Sequence, residues 1–160
     1  MHKKKHISCA VMIVLIVAFD QITKYLAKTH LQNGAVTFIK NFVQFRYAEN
    51  TGMAFSMLSG ARWIFVVLTI AICGAGLWYL FSDRCPSLWH YWSIGVVIAG
   101  GIGNLIDRAL YGYVVDFIEP LFVNFAIFNI ADSAVTLGAT VFIVNLVVEL
   151  FKSDKKNGKD

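Results

Sequence analysis

Charge is scarce in this sequence: Asp, Glu, Lys and Arg make up 15% of the 160 residues, against 58% hydrophobic types. With a mean hydropathy of +0.63, the chain is too apolar to surround a core with a solvated surface, so a soluble globule is excluded and a membrane becomes the natural solvent. Cysteine is also sparse. Cys9, Cys73 and Cys85 are odd in number and too scattered for a metal motif, and two lie in apolar runs, so they read as reduced packing residues. His2, His6, His30 and His90 show no HExxH or paired-ligand spacing, which argues against a catalytic zinc. A dinucleotide loop is absent as well, because the glycines at 100, 101 and 103 do not fit GxGxxG and no strand precedes them. The sequence has no internal repeat, low-complexity tract or domain linker. Its net charge of +4 sits in tails and loops and not on one face, which makes nucleic acid a poor partner.

What the chain does have is four long apolar segments. A helix needs about 20 mostly apolar residues to cross the hydrocarbon layer, and Ile7 to Leu26, Trp63 to Phe81, Leu88 to Ile106 and Ile130 to Phe151 all qualify. The first follows a basic run, as a secretory signal would, but no small-x-small cleavage site comes after it, and it reads as a retained anchor. Lys3, Lys4, Lys5, Arg84, Lys152, Lys155, Lys156 and Lys159 fall on one side of a four-span layout. By the positive-inside rule that side is cytoplasmic, with both termini inside and the connections 27–62 and 107–129 outside. The first connection mixes β-branched, aromatic and polar residues over 36–47, which predicts one or two short strands. Residues 113–128 have a similar character, interrupted by Pro120. The expected fold is an all-α, four-helix membrane domain over residues 1–160 carrying a small extracytoplasmic sheet on the outer surface. Lys152 to Asp160 reads as a solvated, disordered tail.

An ionised side chain at membrane depth costs about 2.5–3.5 kcal/mol on insertion scales, so each one asks for a reason. Asp20 and Lys24 are spaced i, i+4 at the outer end of the first span, acid before base, either as a structural pair with Lys24 snorkelling outward or as substrate contacts. Gly95, Ala99 and Gly103 recur every four residues and make a smooth stripe for close helix packing. Asn104, Asp107 and Arg108 follow within one turn, where a hydrogen-bonded helix end competes with a functional role. Asp116 is a lone carboxylate in the apolar Val114-Val115-Asp116-Phe117-Ile118, a setting that raises a carboxyl pKa. Asp132 stands three residues after Asn129, so the pair also fits a variant capping box at the start of the fourth span. Asp116 and Asp132 both map to the outer boundary, and a short Pro-containing connection lets them meet. Two carboxyls in one low-dielectric site share a proton, the arrangement with which aspartyl proteases activate water. They would titrate as a unit.

Taken together these motifs resemble the prolipoprotein signal peptidases (the signal peptidase II family) over nearly the whole chain. Asp20-Gln21-Ile22-Thr23-Lys24 is similar to the family's first motif and Glu49-Asn50-Thr51-Gly52-Met53-Ala54-Phe55 to its second. Gly103-Asn104-Leu105-Ile106-Asp107-Arg108 resembles the third, followed by Val114-Val115-Asp116-Phe117 and Phe128-Asn129-Ile130-Ala131-Asp132-Ser133. Met53 departs from the small residue common at its place. The resemblance implies that Asp116 and Asp132 are the catalytic pair, a choice the residues alone leave open because Asp107 also qualifies. It assigns Asp20, Lys24, Asn50, Gly52, Asn104, Asp107, Arg108 and Asn129 to supporting the pair or contacting substrate and globomycin-type inhibitors. It implies a diacylglyceryl-prolipoprotein substrate cut on the N-terminal side of the lipidated cysteine, with no metal or organic cofactor, in the bacterial cytoplasmic (inner) membrane. Membrane lipid is the surrounding partner, and a monomer suffices. Two other classes compete. A small transporter would spread its acids through the membrane depth, and a scaffold would use them as caps and ion pairs, indifferent to Asp116→Asn and Asp132→Asn.

Overall fold

A computed structural model describes residues 2–52, 62–82, 85 and 87–157, with the side chains of residues 2, 3 and 153–157 left out. Met53, Ala54, Phe55, Arg84 and Lys159, and the side chains of Lys3, Lys155 and Lys156, therefore lie outside the described residues. The elements run α1 (His2–His30), β1 (Val36–Ile39), β2 (Val43–Asn50), α2 (Arg62–Phe81), α3 (Leu88–Leu110), β3 (Val114–Pro120) and α4 (Ile130–Asn157). Four helices among the described residues are long and apolar enough to cross a membrane. The fold is thus mostly helical with a small sheet. Large apolar side chains such as Val14, Trp63, Ile64, Leu137 and Phe151 stand exposed on the helices, the surface expected where hydrocarbon is the solvent.

Small residues bring the helices together around α3. A side-chain carbon at Gly95 would lie 2.8 Å from Cys9 Sγ and 2.9 Å from Met12 on α1, and one at Gly103 would lie 2.6 Å from Asp20 Oδ2. On another face of α3, a side-chain carbon at Gly100 would meet the Ala131 carbonyl and Val135 of α4, while one at Gly138 of α4 would lie 2.8 Å from the Ser93 carbonyl oxygen. Packing of this closeness is how helices gain contact where lipid is as apolar as leucine. Ser87 caps α3, its hydroxyl accepting from the His90 N–H at 3.3 Å. The far end is closed by Gly112, whose φ of +86° lies in the left-handed region that glycine enters without strain.

The three strands form an antiparallel sheet in the order β1-β2-β3. β2 pairs with β3 from Val43↔Pro120 to Asn50↔Val114, with an irregularity between Phe45 and Ala48. The named pairing runs as far as Pro120, which has no N–H to donate, and just beyond it the Leu121 N–H donates to the Phe42 carbonyl at 2.8 Å. Val115 and Phe117 pack with Ala27, at the end of α1, and with Phe45 and Tyr47, which seats the sheet on the helices. Beyond Pro120 the chain doubles back: Phe128 N–H donates to the Ile118 carbonyl at 3.1 Å, and Ile118 and Phe117 N–H donate to the Phe128 carbonyl at 2.8 and 3.0 Å. This return delivers Asn129 and the start of α4 beside β3.

Two expectations are corrected. Residues 152–157 continue α4 and do not form a disordered tail; backbone hydrogen bonding carries the helix on. Lys24 does not snorkel outward: its side chain is 3% exposed and points into the bundle, because three acceptors wait there.

Candidate active site

At the β3 end of the bundle, polar side chains from α1, α3, β3 and the start of α4 form one buried network. Its first member is the ion pair written into α1. Lys24 Nζ lies 2.9 Å from Asp20 Oδ2 and 3.0 Å from Asp107 Oδ2, and donates to Asn104 Oδ1 at 2.9 Å. An ammonium has three N–H groups and all three are used. The acids are equally occupied. Asp20 Oδ1 accepts the Ala131 N–H at 2.8 Å, which ties α1 to the first turn of α4. Asp107 Oδ2 accepts the Val115 N–H at 3.0 Å, which ties α3 to β3. Asp107 is thereby committed to framework contacts.

Asn129 is the hub between the other two carboxyls. Its side-chain nitrogen donates to Asp116 Oδ1 at 2.7 Å and to Asn104 Oδ1 at 3.1 Å. Its side-chain oxygen accepts the Asp132 N–H at 2.8 Å, while its own N–H donates to Asp132 Oδ2 at 3.3 Å. That reciprocal pair is the capping box expected from the sequence, so the cap and the proximity of Asp132 to Asp116 are one arrangement. Asp132 Oδ1 accepts from Asn104 Nδ2 at 2.7 Å. Asp116 Oδ2 accepts from Asn50 Nδ2 at 3.0 Å, and Asn50 Oδ1 accepts the Gly52 N–H at 3.0 Å. Arg108 Nη2 donates to the Gly52 carbonyl at 3.0 Å, and its guanidinium sits 5.3 Å from the Phe65 ring centroid. Asp116 is 2% exposed. Burial first, and then the nearby Asp132 charge, push its carboxyl up to about 7, against the pull of Asn50, Asn129 and Lys24.

An apolar cleft of about 1220 Å³ adjoins these groups and runs between α2, α3 and α4. Asn50, Asn104, Arg108 and Asp132 stand in its wall near Phe65 and Phe128, and Tyr79 and Phe142 lie at its other end. The structure thus brings together Asp20, Lys24, Asn50, Gly52, Asn104, Asp107, Arg108, Asp116, Asn129 and Asp132. Sequence reasoning passed over Gln21. Its Nε2 lies 3.2 Å from Asp20 Oδ2, 3.1 Å from the Gly103 carbonyl and 3.0 Å from Asp107 Oδ1. The signal available was its place between two motif residues, at a depth where an amide needs partners.

Fold and site define a multi-pass membrane protein with two adjacent carboxyls, held by amides, beside an apolar cleft. A family model described as Signal peptidase (SPase) II matches residues 12–148. The chain is 40% identical over 135 residues to the lipoprotein signal peptidase of Streptococcus pyogenes serotype M5 (strain Manfredo), covering 84% of this chain and 89% of that one. It is 40% identical over 149 residues to the lipoprotein signal peptidase of Streptococcus agalactiae serotype V, covering 92% and 94%. A solved bacterial membrane enzyme superposes with a TM-score of 0.85 at 35% identity over 89% of both chains. A second gives 0.79 at 36% identity, over 87% of this chain and 92% of the other. The chain belongs to the signal peptidase II family and is a multi-pass bacterial membrane protease.

Proposed function

We propose that this protein is an aspartic endopeptidase that removes the leader from diacylglyceryl-modified prolipoproteins, cutting on the N-terminal side of the lipidated cysteine, with Asp116 and Asp132 as the catalytic pair. The observation that carries this reading is the Asn129 side chain, whose amide touches both: it donates to Asp116 at 2.7 Å and accepts from the Asp132 backbone at 2.8 Å. Two neighbouring acids beside an apolar, low-dielectric cleft share one proton near neutrality. The ionised member takes a proton from water, and the resulting hydroxide attacks the scissile carbonyl carbon. The protonated member hydrogen-bonds the developing oxyanion and then supplies the proton with which the leaving amine departs. The chain's own residues suffice for these steps.

The remaining assignments follow from this chemistry. Asp20, Lys24, Asn104, Asp107 and Asn129 act as the frame, while Asn50 and Arg108 face the cleft that receives substrate and hold Gly52 between them. A diacylglyceryl group stays in its leaflet, so the membrane itself holds the scissile bond at the depth of the acids. The enzyme then lies in the bacterial inner membrane as a single domain with both termini cytoplasmic, site and sheet at the outer face, and works as a monomer. A globomycin-type inhibitor is expected to occupy the cleft and stop cleavage.

The test is leader release from a diacylglyceryl-modified prolipoprotein by detergent-purified protein. Asp116→Asn and Asp132→Asn are each expected to lower kcat by at least ~10³-fold, in line with losing a proton-transfer group, with thermal unfolding confirming the fold. Near-full activity in either folded variant would remove that aspartate from the mechanism.

A further inference from the structure

A lysine donates hydrogen bonds and cannot accept them. Whichever end of the Asn104 amide faces Lys24 must therefore be the oxygen, and the amide nitrogen must face the other way. The other way is Asp132, 2.7 Å from Asn104 Nδ2. The same polarity passes on to Asn129: Asn104 Oδ1 accepts from Asn129 Nδ2 at 3.1 Å, which leaves the Asn129 oxygen to accept from the Asp132 N–H. Reversing Asn104 would set its oxygen against the Asp132 carboxylate and its nitrogen against an ammonium. Both contacts would be repulsive at hydrogen-bond range, in a site where Lys24 is 3% and Asn104 9% exposed.

We infer that Lys24 is a positioning residue that fixes the polarity of the Asn104 amide, so that its N–H₂ faces Asp132 and makes Asp132 the ionised base and Asp116 the proton carrier. The inference rests on the proposed reading of the two aspartates as the catalytic pair. The surroundings divide the acids in the same sense. Asp132 lies in the first turn of α4, where the helix dipole favours an anion, and has Lys24 of α1 and Arg108 of α3 as nearby cations. The charges of Asp20 and Asp107 are engaged by Lys24. Asp116 lies on a strand between Val115 and Phe117, both buried, and faces Asp132 as its like-charged neighbour; it also accepts from Asn50 at 3.0 Å and Asn129 at 2.7 Å and feels Lys24, but burial outweighs these. The close contacts of Lys24 are Asp20, Asp107 and Asn104, not Asp116 or Asp132, so its influence on the orientation of groups around that pair runs through Asn104.

The deciding experiment is a double-mutant cycle read on the pH profile of kcat/KM, with Lys24→Gln, Asn104→Ala and the pair. Glutamine can accept or donate, so it frees Asn104 to turn. Lys24→Gln is expected to move the acidic limb up by ~1 pH unit, a ~10-fold loss of kcat/KM on that limb. In the Asn104→Ala background the same change should move it by less than half as much, because the amide that transmits it is gone. If the shift in that background stays at half or more, Lys24 acts by its charge or through the fold, and the inference fails. Should Lys24→Gln not unfold cooperatively in detergent, Asn104→Ala alone decides: an upward shift of the acidic limb supports the inference, and an unmoved limb overturns it. The two proposals fail separately. Active Asp116→Asn or Asp132→Asn protein defeats the catalytic pair, whereas inactive aspartate variants with an additive cycle defeat only the role of Lys24.

Discussion

Asn50 gives a single-residue handle on the proton balance of the site. Its amide donates to Asp116 at 3.0 Å and so favours the charged carboxylate, opposing the burial that pushes that group up to about 7. Removing the donor in Asn50→Ala is expected to raise the Asp116 value further and move the basic limb of the pH–rate profile upward; an unmoved or lowered limb would break the link. The same upward displacement has a stability consequence. A buried carboxyl that prefers its proton contributes stability fully present below about 4, the ordinary carboxylate value, and lost as pH rises toward about 7. Asp116→Asn, which stays neutral, should therefore flatten the fall in Tm across that window. Glu119 has the opposite sense. Arg46 holds it below its usual range through bonds of 2.8 and 2.7 Å, so its contribution is present at neutrality and fades on acidification. Arg46 is 49% exposed, and Arg46→Ala should lower stability by only ~0.2–1 kcal/mol.

Among the elements, α3 is the one whose contacts leave least freedom. A methyl group at Gly100 would collide with the Ala131 carbonyl of α4, and backbone cannot step aside as a flexible side chain can. Gly100→Ala is expected to cost ~1–3 kcal/mol, the usual cost of overpacking. Gly74→Ala on α2 has open space within 4 Å and should be neutral or slightly stabilising. Thermal unfolding of the two variants in one detergent distinguishes packing from a general intolerance of alanine. The four helices were legible in the sequence because apolar length is a local property. So were the stripe at Gly95, Ala99 and Gly103 and the pairing of Asn129 with Asp132, since both depend on spacing within one helix. The inward turn of Lys24 was not legible, because it depends on Asp107 and Asn104, some eighty residues away. Gln21 was missed for the same reason: its partners at Gly103 and Asp107 come from α3. The continuation of α4 to Asn157 ran against a composition that reads as solvated.

For the molecule as a whole, the polar network is a joint between segments distant in sequence. Asp20 on α1 reaches the Ala131 N–H on α4 at 2.8 Å, Asp107 on α3 reaches the Val115 N–H on β3 at 3.0 Å, and Asn104 lies between Lys24 and Asp132. A chain emerging from the ribosome releases α1 first and α4 last. Until α3 arrives, Asp20 and Lys24 have each other but neither Asp107 nor Asn104. Until α4 arrives, Asn129 and Asp132 are absent altogether. On the proposed reading of Asp116 and Asp132, the nascent protein passes through insertion without its pair of acids, and its capacity to cut peptides appears only with the final span.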